Sequence, residues 1–405
     1  MSYTIIVSTG KLFTPRSLRP HKHQPLRENT GLDVAHSRGA RFARWDSVNC
    51  CIRFVFLAAI FSAIPAFAEK APAKKGKRSS ADVEAATRLQ VFLDRANFGP
   101  GKLDGYYGDF TLKALALYRE SRGEQPERPV DSKSNAAPNV SGLDLDAVDP
   151  VFTTYTVTEA DLQNVGEVPD AVAEQAKLKA LPYRDVLEAI AEKFHSDVDF
   201  IAHLNPGKTK ETIKPGDELK VPNVEPFEFG TVKDIKPGSE IGVPAANENP
   251  DDEAPAEAGP PDLAEYAFGA HAMSVTVDTK TNMLTLREND KNVAAYPVSI
   301  GSEHTESPIG DWKVRGVAKL PPFRHDEQML NHGERSNVFH MLPPGPNSPV
   351  GVMWIALNKK GIGLHGTNEP DEIGRSASHG CVRMANWDIV RLAGKVKAGV
   401  PVSIH

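Results

Sequence analysis

The chain has 405 residues, with 47 Lys and Arg against 53 Asp and Glu, for a formal net charge of −6. That length accommodates two or three domains of about 100–200 residues each, and a hydrophobic content of 40% is enough to fill packed cores. The acidic balance gives no case for nucleic acid as a partner. The 32 prolines and 31 glycines fall in clusters, which points to linkers between folded units.

In chain order, the first signal is basic: Arg41, Arg44 and Arg53 lead into the apolar run "FVFLAAIFSAIPAFA" at 54–68, which ends in Ala66-Phe67-Ala68. A basic flank, a short apolar stretch and a small-x-small site predict a secretory signal cut before Glu69, and hence a periplasmic protein. The alternative, an uncleaved anchor, requires about 20 apolar residues to span a bilayer. Residues 1–47 are basic and show no periodicity, so the expected translation start lies near Val48. Cleavage would remove Cys50 and Cys51 and leave Cys381 as the only cysteine, with no intramolecular disulfide available. A leftover thiol in an oxidising compartment is a flag for reactivity.

Residues 69–80 read as a basic tether. Over 81–123, apolar residues at helical spacing (Val83, Ala86, Leu89, Leu93), a Gly-rich turn and a second periodic run (Leu112, Leu115, Tyr118) predict a helical hairpin. Leu89-Gln90, Asp104-Gly105, Gly108 and Thr111 stand where this segment resembles the peptidoglycan-binding type 1 domain. A polar linker follows at 124–150. Within 151–225, "YTVTEAD" (155–161) and the helix–turn–helix–strand pattern of 183–223 contain "LNPG" and "IKPGDELKVP", and resemble a LysM module. The resemblance implies glycan binding, but residues 162–182 are an insertion relative to that pattern. Both a sugar-binding role and a spacer role stay open. Residues 226–265 read as a linker, acidic and rich in Pro and Ala from 237 to 262.

From 266 to 405 the texture becomes short strands. "MSVTVDTKTNMLTLREN" alternates around a turn at Thr279–Asn282, and "KNVAAYPVSIG", "GDWKVRGVA" and "GVMWIALNK" continue the pattern. Such strands, punctuated by turn signals, predict a β sandwich or barrel. A short helix in "ANWDIVRLAGKVKAG" and a last strand "VPVSIH" close the chain. The predicted fold class is thus multidomain, with a mainly β C-terminal domain behind a small helical domain and a small α+β module.

The residues that carry chemistry lie in "SASHGCVRM", 376–384. If this segment is extended, His379 and Cys381 project from the same face, and Gly380 between them lets substrate approach closely. An imidazole beside a thiol lowers its pKa from about 8.5 and takes its proton. The imidazole would be oriented by the Ser378 hydroxyl or by its backbone carbonyl, and the amides of Gly380 and Cys381 are the natural donors to an oxyanion. Arg383, two positions on, has paired donors for a carboxylate. "GIGLHG" (361–366) spells a dinucleotide-binding pattern, but Asn368-Glu369-Pro370 follows where a helix would be needed. His365, His379 and Cys381 lack the spacing and the fourth ligand of a zinc site.

Together with "YPVSIG", "SPIGDWKV", "PPGPNSPVGVMWIAL" and "GIGLHGTNEP", the "SHGCVRM" stretch resembles the L,D-transpeptidase catalytic domain (YkuD-like). Ser307-Pro308-Ile309-Gly310 departs from the family's Thr-Pro-x-Gly. The resemblance implies Cys381 as nucleophile, His379 as general acid/base, and His365, Gly366, Thr367, Arg383 and Trp354 as substrate contacts. For His365 a packing role, and for Trp354 a place in the core, remain alternatives. It also implies peptidoglycan as partner, through a stem-tetrapeptide donor and an amine acceptor, carbapenems as acylating inhibitors, and neither metal nor cofactor. Acyl transfer to an amine, hydrolysis at the same site, and wall binding without catalysis are the three functions compatible with the residues.

Overall fold

The computed structural model describes residues 78–125, 136–241, 273–301, 309–359, 361–375 and 380–405. The expected signal and chain start lie outside them; of the expected tether, 78–80 are described, and its last two residues instead cap and begin a helix.

Helix α1 (Ser80–Arg95) starts where Ser79 and Asp82 form a reciprocal cap, the Asp82 amide donating to Ser79 Oγ at 3.1 Å, a device worth about 1 kcal/mol. Helix α2 (Asp109–Ser121) returns against it. The motif residues between them hold the loop. The Gln90 amide donates to Asp104 Oδ1 at 2.9 Å and to the Tyr106 carbonyl at 3.1 Å, while the Gly105 amide donates to Gln90 Oε1 at 2.9 Å. Gly105 takes φ +69°, the left-handed region in which glycine carries no steric cost.

The next module runs β1 (Phe152–Thr156), α3 (Glu159–Gln163), α4 (Val172–Gln175), α5 (Val186–Lys193), α6 (Val198–Leu204) and β2 (Glu218–Pro222). Strands β1 and β2 pair antiparallel, with Thr154 opposite Lys220. Asp185 and Asp197 cap α5 and α6, accepting from the amides of Glu188 and Phe200. Ile190, Ile201, Leu219 and Val221 bury against each other, and Val91 and Leu103 of the helical hairpin join the same cluster. The insertion contains α4 and only the last two residues of α3.

The C-terminal domain has β3 (Met273–Asp278), β4 (Met283–Glu288), β5 (Lys291–Pro297), β6 (Gly310–Lys319), β7 (Phe323–His325), α7 (Glu327–His332), β8 (His340–Leu342), β9 (Met353–Leu357), β10 (Gly363–His365), β11 (Val382–Arg383), α8 (Asn386–Ala393) and β12 (Pro401–Ile404). Asn282 turns the β3–β4 hairpin at φ +55°, at the expected place. Eight strands form one curled sheet, in the order β11-β10-β9-β6-β12-β3-β4-β5; β7 and β8 pair separately. It is therefore one hydrogen-bonded sheet where the sequence suggested a sandwich or barrel. The expected short helix, α8, supplies the second layer: Trp387, Ile389 and Leu392 pack in one cluster with Val275, Leu284, Ile355 and Leu364. Burying each such side chain contributes about 1.5–3 kcal/mol.

The polar stretches read as linkers carry anchors. Val148 is buried beside the hairpin, and Phe227 and Val232, on either side of the start of a 3-10 helix at Phe229–Asp234, bury in the core of the C-terminal sheet. The hairpin loop is hydrogen-bonded to β5, with the Gly99 amide donating to Ala295 O at 2.7 Å and the Ala295 amide to Asn97 O at 2.9 Å.

Candidate active site

The site forms at the β9–β10–β11 end of the sheet. Strand β10 lies between an antiparallel β9 and a parallel β11, which puts His365 opposite Trp354 on one side and Arg383 on the other. The Trp354 and His365 rings stack, with centroids 5.2 Å apart and planes 7° from parallel. β11 is only two residues long because Ser299 takes over its pairing, exchanging two backbone hydrogen bonds with Arg383 at 2.9 and 3.0 Å.

Cys381 stands just before β11 and is half-buried. Its Sγ lies 3.5 Å from the carbonyl oxygen of Gly361. Gly380 has φ +110°, so the chain turns into Cys381 and does not run through it as a strand. This corrects the expectation of an extended "SHGC": no side-chain residue adopts that φ without strain, and glycine is needed here for conformation as much as for access. Ser378 and His379 lie outside the described residues.

A cavity of about 310 Å³ opens over these groups, lined by Trp354, His365, Cys381 and Arg383 on the sheet side. Its other wall comes from Phe323 and His325 of β7 and Met329 of α7. Sequence reading missed this wall entirely: β7 and β8 are too short for a visible alternation, and the one signal was Asp326, which caps α7 by accepting from the Met329 amide. Gly366 and Thr367, expected beside the substrate, do not line this cavity. The Gly366 carbonyl accepts the His365 Nδ1–H at 2.6 Å, and Thr367 Oγ1 accepts from the Glu369 amide at 3.1 Å. Trp354 meets both of its readings, being 9% exposed and yet on the cavity wall.

A carbonyl oxygen only accepts, so Nδ1 of His365 carries the proton and Nε2 keeps its lone pair. Burial, reinforced by the Arg383 charge, pulls the His365 pKa down to about 4 against the Gly366 hydrogen bond, so the ring is neutral at ordinary pH. Burial also lowers Arg383, while Glu369 and Cys381 act on it in the opposite sense. A neutral imidazole with an unprotonated Nε2, a thiol and a cation on one wall suit nucleophilic acyl transfer: the first accepts a proton, the second attacks, the third steadies negative charge.

Residues 272–404 match the L,D-transpeptidase catalytic domain and residues 183–222 the LysM domain. The chain is 26% identical over 220 residues to the YkuD protein of Bacillus licheniformis, named as an L,D-transpeptidase, covering 54% of this chain and 93% of that one. The YkuD protein of Bacillus subtilis, similarly named, is 31% identical over 140 residues, covering 35% of this chain and 68% of the relative. Among solved structures, an L,D-transpeptidase from Mycobacterium smegmatis aligns at 17% identity and a TM-score of 0.28, over 33% of this chain and 59% of that one.

Proposed function

The chain belongs to the L,D-transpeptidase family, and we propose that it is an exported peptidoglycan enzyme whose nucleophile is Cys381. The Cys381 thiolate attacks the carbonyl before the D-Ala at position four of a stem tetrapeptide. The tetrahedral oxyanion is met by the amides of Gly380 and Cys381. The C–N bond then breaks, D-Ala leaves with a proton, and a thioester remains on Cys381. An acceptor amine attacks this thioester, loses a proton to the site base and releases the thiolate, which gives a 3-3 cross-link or an anchored protein.

The observation that carries this reading is the shared cavity of Cys381 and a neutral His365 whose Nε2 is unprotonated. It changes one expectation. The sequence assigned proton transfer to His379; the described geometry supports His365 in that role, since its tautomer is fixed and its lone pair is directed away from Gly366. Arg383 favours the thiolate electrostatically, being coupled to Cys381. The helical hairpin and the LysM module would hold the enzyme on the sacculus, and tethering raises the local concentration of catalytic domain at its polymer. The test is incubation of the protein with disaccharide tetrapeptide and identification of products by mass. Loss of D-Ala with dimer formation supports the proposal; loss of D-Ala with monomer alone makes water the acceptor and the enzyme a carboxypeptidase; no product refutes catalysis.

A further inference from the structure

The segment 343–350 follows β8, and its far end belongs to the catalytic cavity. Pro349 and Val350 line that cavity. Val350 is buried in one cluster with Trp354 of the sheet side, and Phe323 of the opposite wall and Cys381 pack against the same cluster. Where Val350 sits therefore sets the space beside the nucleophile. Pro343, Pro344, Pro346 and Pro349 bring no amide donors to this segment. Its own backbone closes two turns, the Ser348 amide donating to Gly345 O at 3.1 Å and the Gly351 amide to Ser348 O at 2.8 Å.

The first half of the segment is gripped from outside the catalytic domain. The Leu181 amide donates to Pro344 O at 3.0 Å, and the Asn347 amide donates to Leu181 O at 3.2 Å. Gly345 lacks a side chain where one would collide with the Leu181 backbone. The buried Asn347 side chain closes the joint. Its Nδ2 donates to Pro182 O at 2.6 Å and to Glu188 Oε2 at 3.2 Å, and its Oδ1 accepts from the Arg184 guanidinium at 3.1 Å. Arg184 also donates to Glu188 Oε1 at 2.8 Å, so the carboxamide is enclosed by an ion pair. Leu181 and Pro182 end the 162–182 insertion, and Arg184 and Glu188 lie inside the LysM match. Helix α4 of the insertion also lies against β8. A spacer that only separated two domains would have no need of such a joint.

We propose that Asn347 is a positioning residue for the catalytic cavity, and that the LysM module and its insertion brace the Pro349–Val350 wall through it, so that the fit of the stem peptide is set partly from outside the catalytic domain. The proposal rests on the reading of this cavity as the stem-peptide site. The polarity of the joint is specific. A carboxamide presents donors to Pro182 O and Glu188 and an acceptor to Arg184. A carboxylate of the same shape presents no donor and sets a second negative charge against Glu188.

The test uses the full chain and two readouts: hydrogen exchange of the Asn347, Ser348 and Gly351 amides, which needs no turnover, and kcat and KM with disaccharide tetrapeptide. Asn347→Asp is expected to speed that exchange and to raise KM about tenfold at nearly unchanged kcat, the signature of lost fit and not of lost active protein. Glu188→Gln alone is expected to stay within about twofold of wild type. Added to Asn347→Asp, it turns an acceptor into a donor, and most of the KM and of the exchange protection is expected to return, a coupling that damage to folding does not produce. If Asn347→Asp does not fold, Asn347→Ser, which drops the three side-chain bonds and adds no charge, is read for the same rise in KM. Wild-type KM in the folded variant overturns the proposal, as does a KM that Glu188→Gln fails to recover. A wild type without turnover refutes the function above, and exchange alone then decides the brace: protection lost with Asn347→Asp and regained with Glu188→Gln upholds it, and unchanged protection overturns it.

Discussion

The C-terminal sheet and the seam between the modules differ in chemistry: the seam adds buried charged groups to its apolar contacts. The sheet is sealed by an apolar layer, Val275, Leu284, Ile355 and Leu364 against Trp387 and Leu392 of α8. The seam is pinned by buried polar groups drawn from three places in the chain. Asp94 of α1, 1% exposed, accepts from Arg391 of α8 at 2.9 and 3.1 Å and from His195 Nδ1 at 2.9 Å, and the His195 ring stacks on Trp387 with centroids 5.3 Å apart. Burial alone would raise Asp94, but the charges and hydrogen bonds of His195 and Arg391 hold it well below the usual carboxylate range. The same helix that completes the apolar core therefore also carries the seam's cation. Apolar packing fills each module and also crosses the seam; the directional polar contacts add a fixed geometry between the modules.

The strongest way to break this contrast is Asp94→Ala. It leaves a largely buried guanidinium and a buried imidazole without their acceptor, and should lower stability by about 3–5 kcal/mol in denaturant titration. A loss below about 1 kcal/mol would mean that the seam is held by its apolar contacts instead. A second test moves into the site. His365 has a pKa of about 4 when folded and 6.5 when unfolded, so between those values the unfolded chain binds more protons and stability falls as pH falls. The predicted loss from pH 7 to 4.5 is about 2.4 kcal/mol more for the wild type than for His365→Gln; parallel curves would place His365 in contact with water. The smallest expected effect is at an exposed pair. Lys177 and Glu174 lie one helical turn apart on the surface, and Lys177→Ala should leave the denaturation midpoint unmoved.

The same contrast explains what could be read from the sequence. The strands and their turn at Asn282 were legible because alternation is a local pattern, and the Gln90–Asp104–Thr111 loop because its residues serve one another within a short span. Cys381 and His365 stood out because cysteine and histidine are scarce in the chain, and Arg383 because it follows Cys381 by two positions. Asp94 and His195 were not, since each looks like an ordinary charge on an amphipathic helix or at its end until a partner far along the chain arrives. Gly380 was read as an opening for substrate, and its positive φ is a property of the folded turn. The β7–α7 wall lay in a segment whose elements are too short to carry a period.

The central claim concerns Cys381, and the most direct measurement is the intact and peptide-mapped mass of the full chain after exposure to a carbapenem, beside Cys381→Ala. The account predicts one covalent adduct, located at Cys381, with no adduct in the variant, no turnover of tetrapeptide by it, and undiminished binding to sacculi. An adduct at another residue, or a Cys381→Ala protein that still releases D-Ala at the wild-type rate, would contradict it.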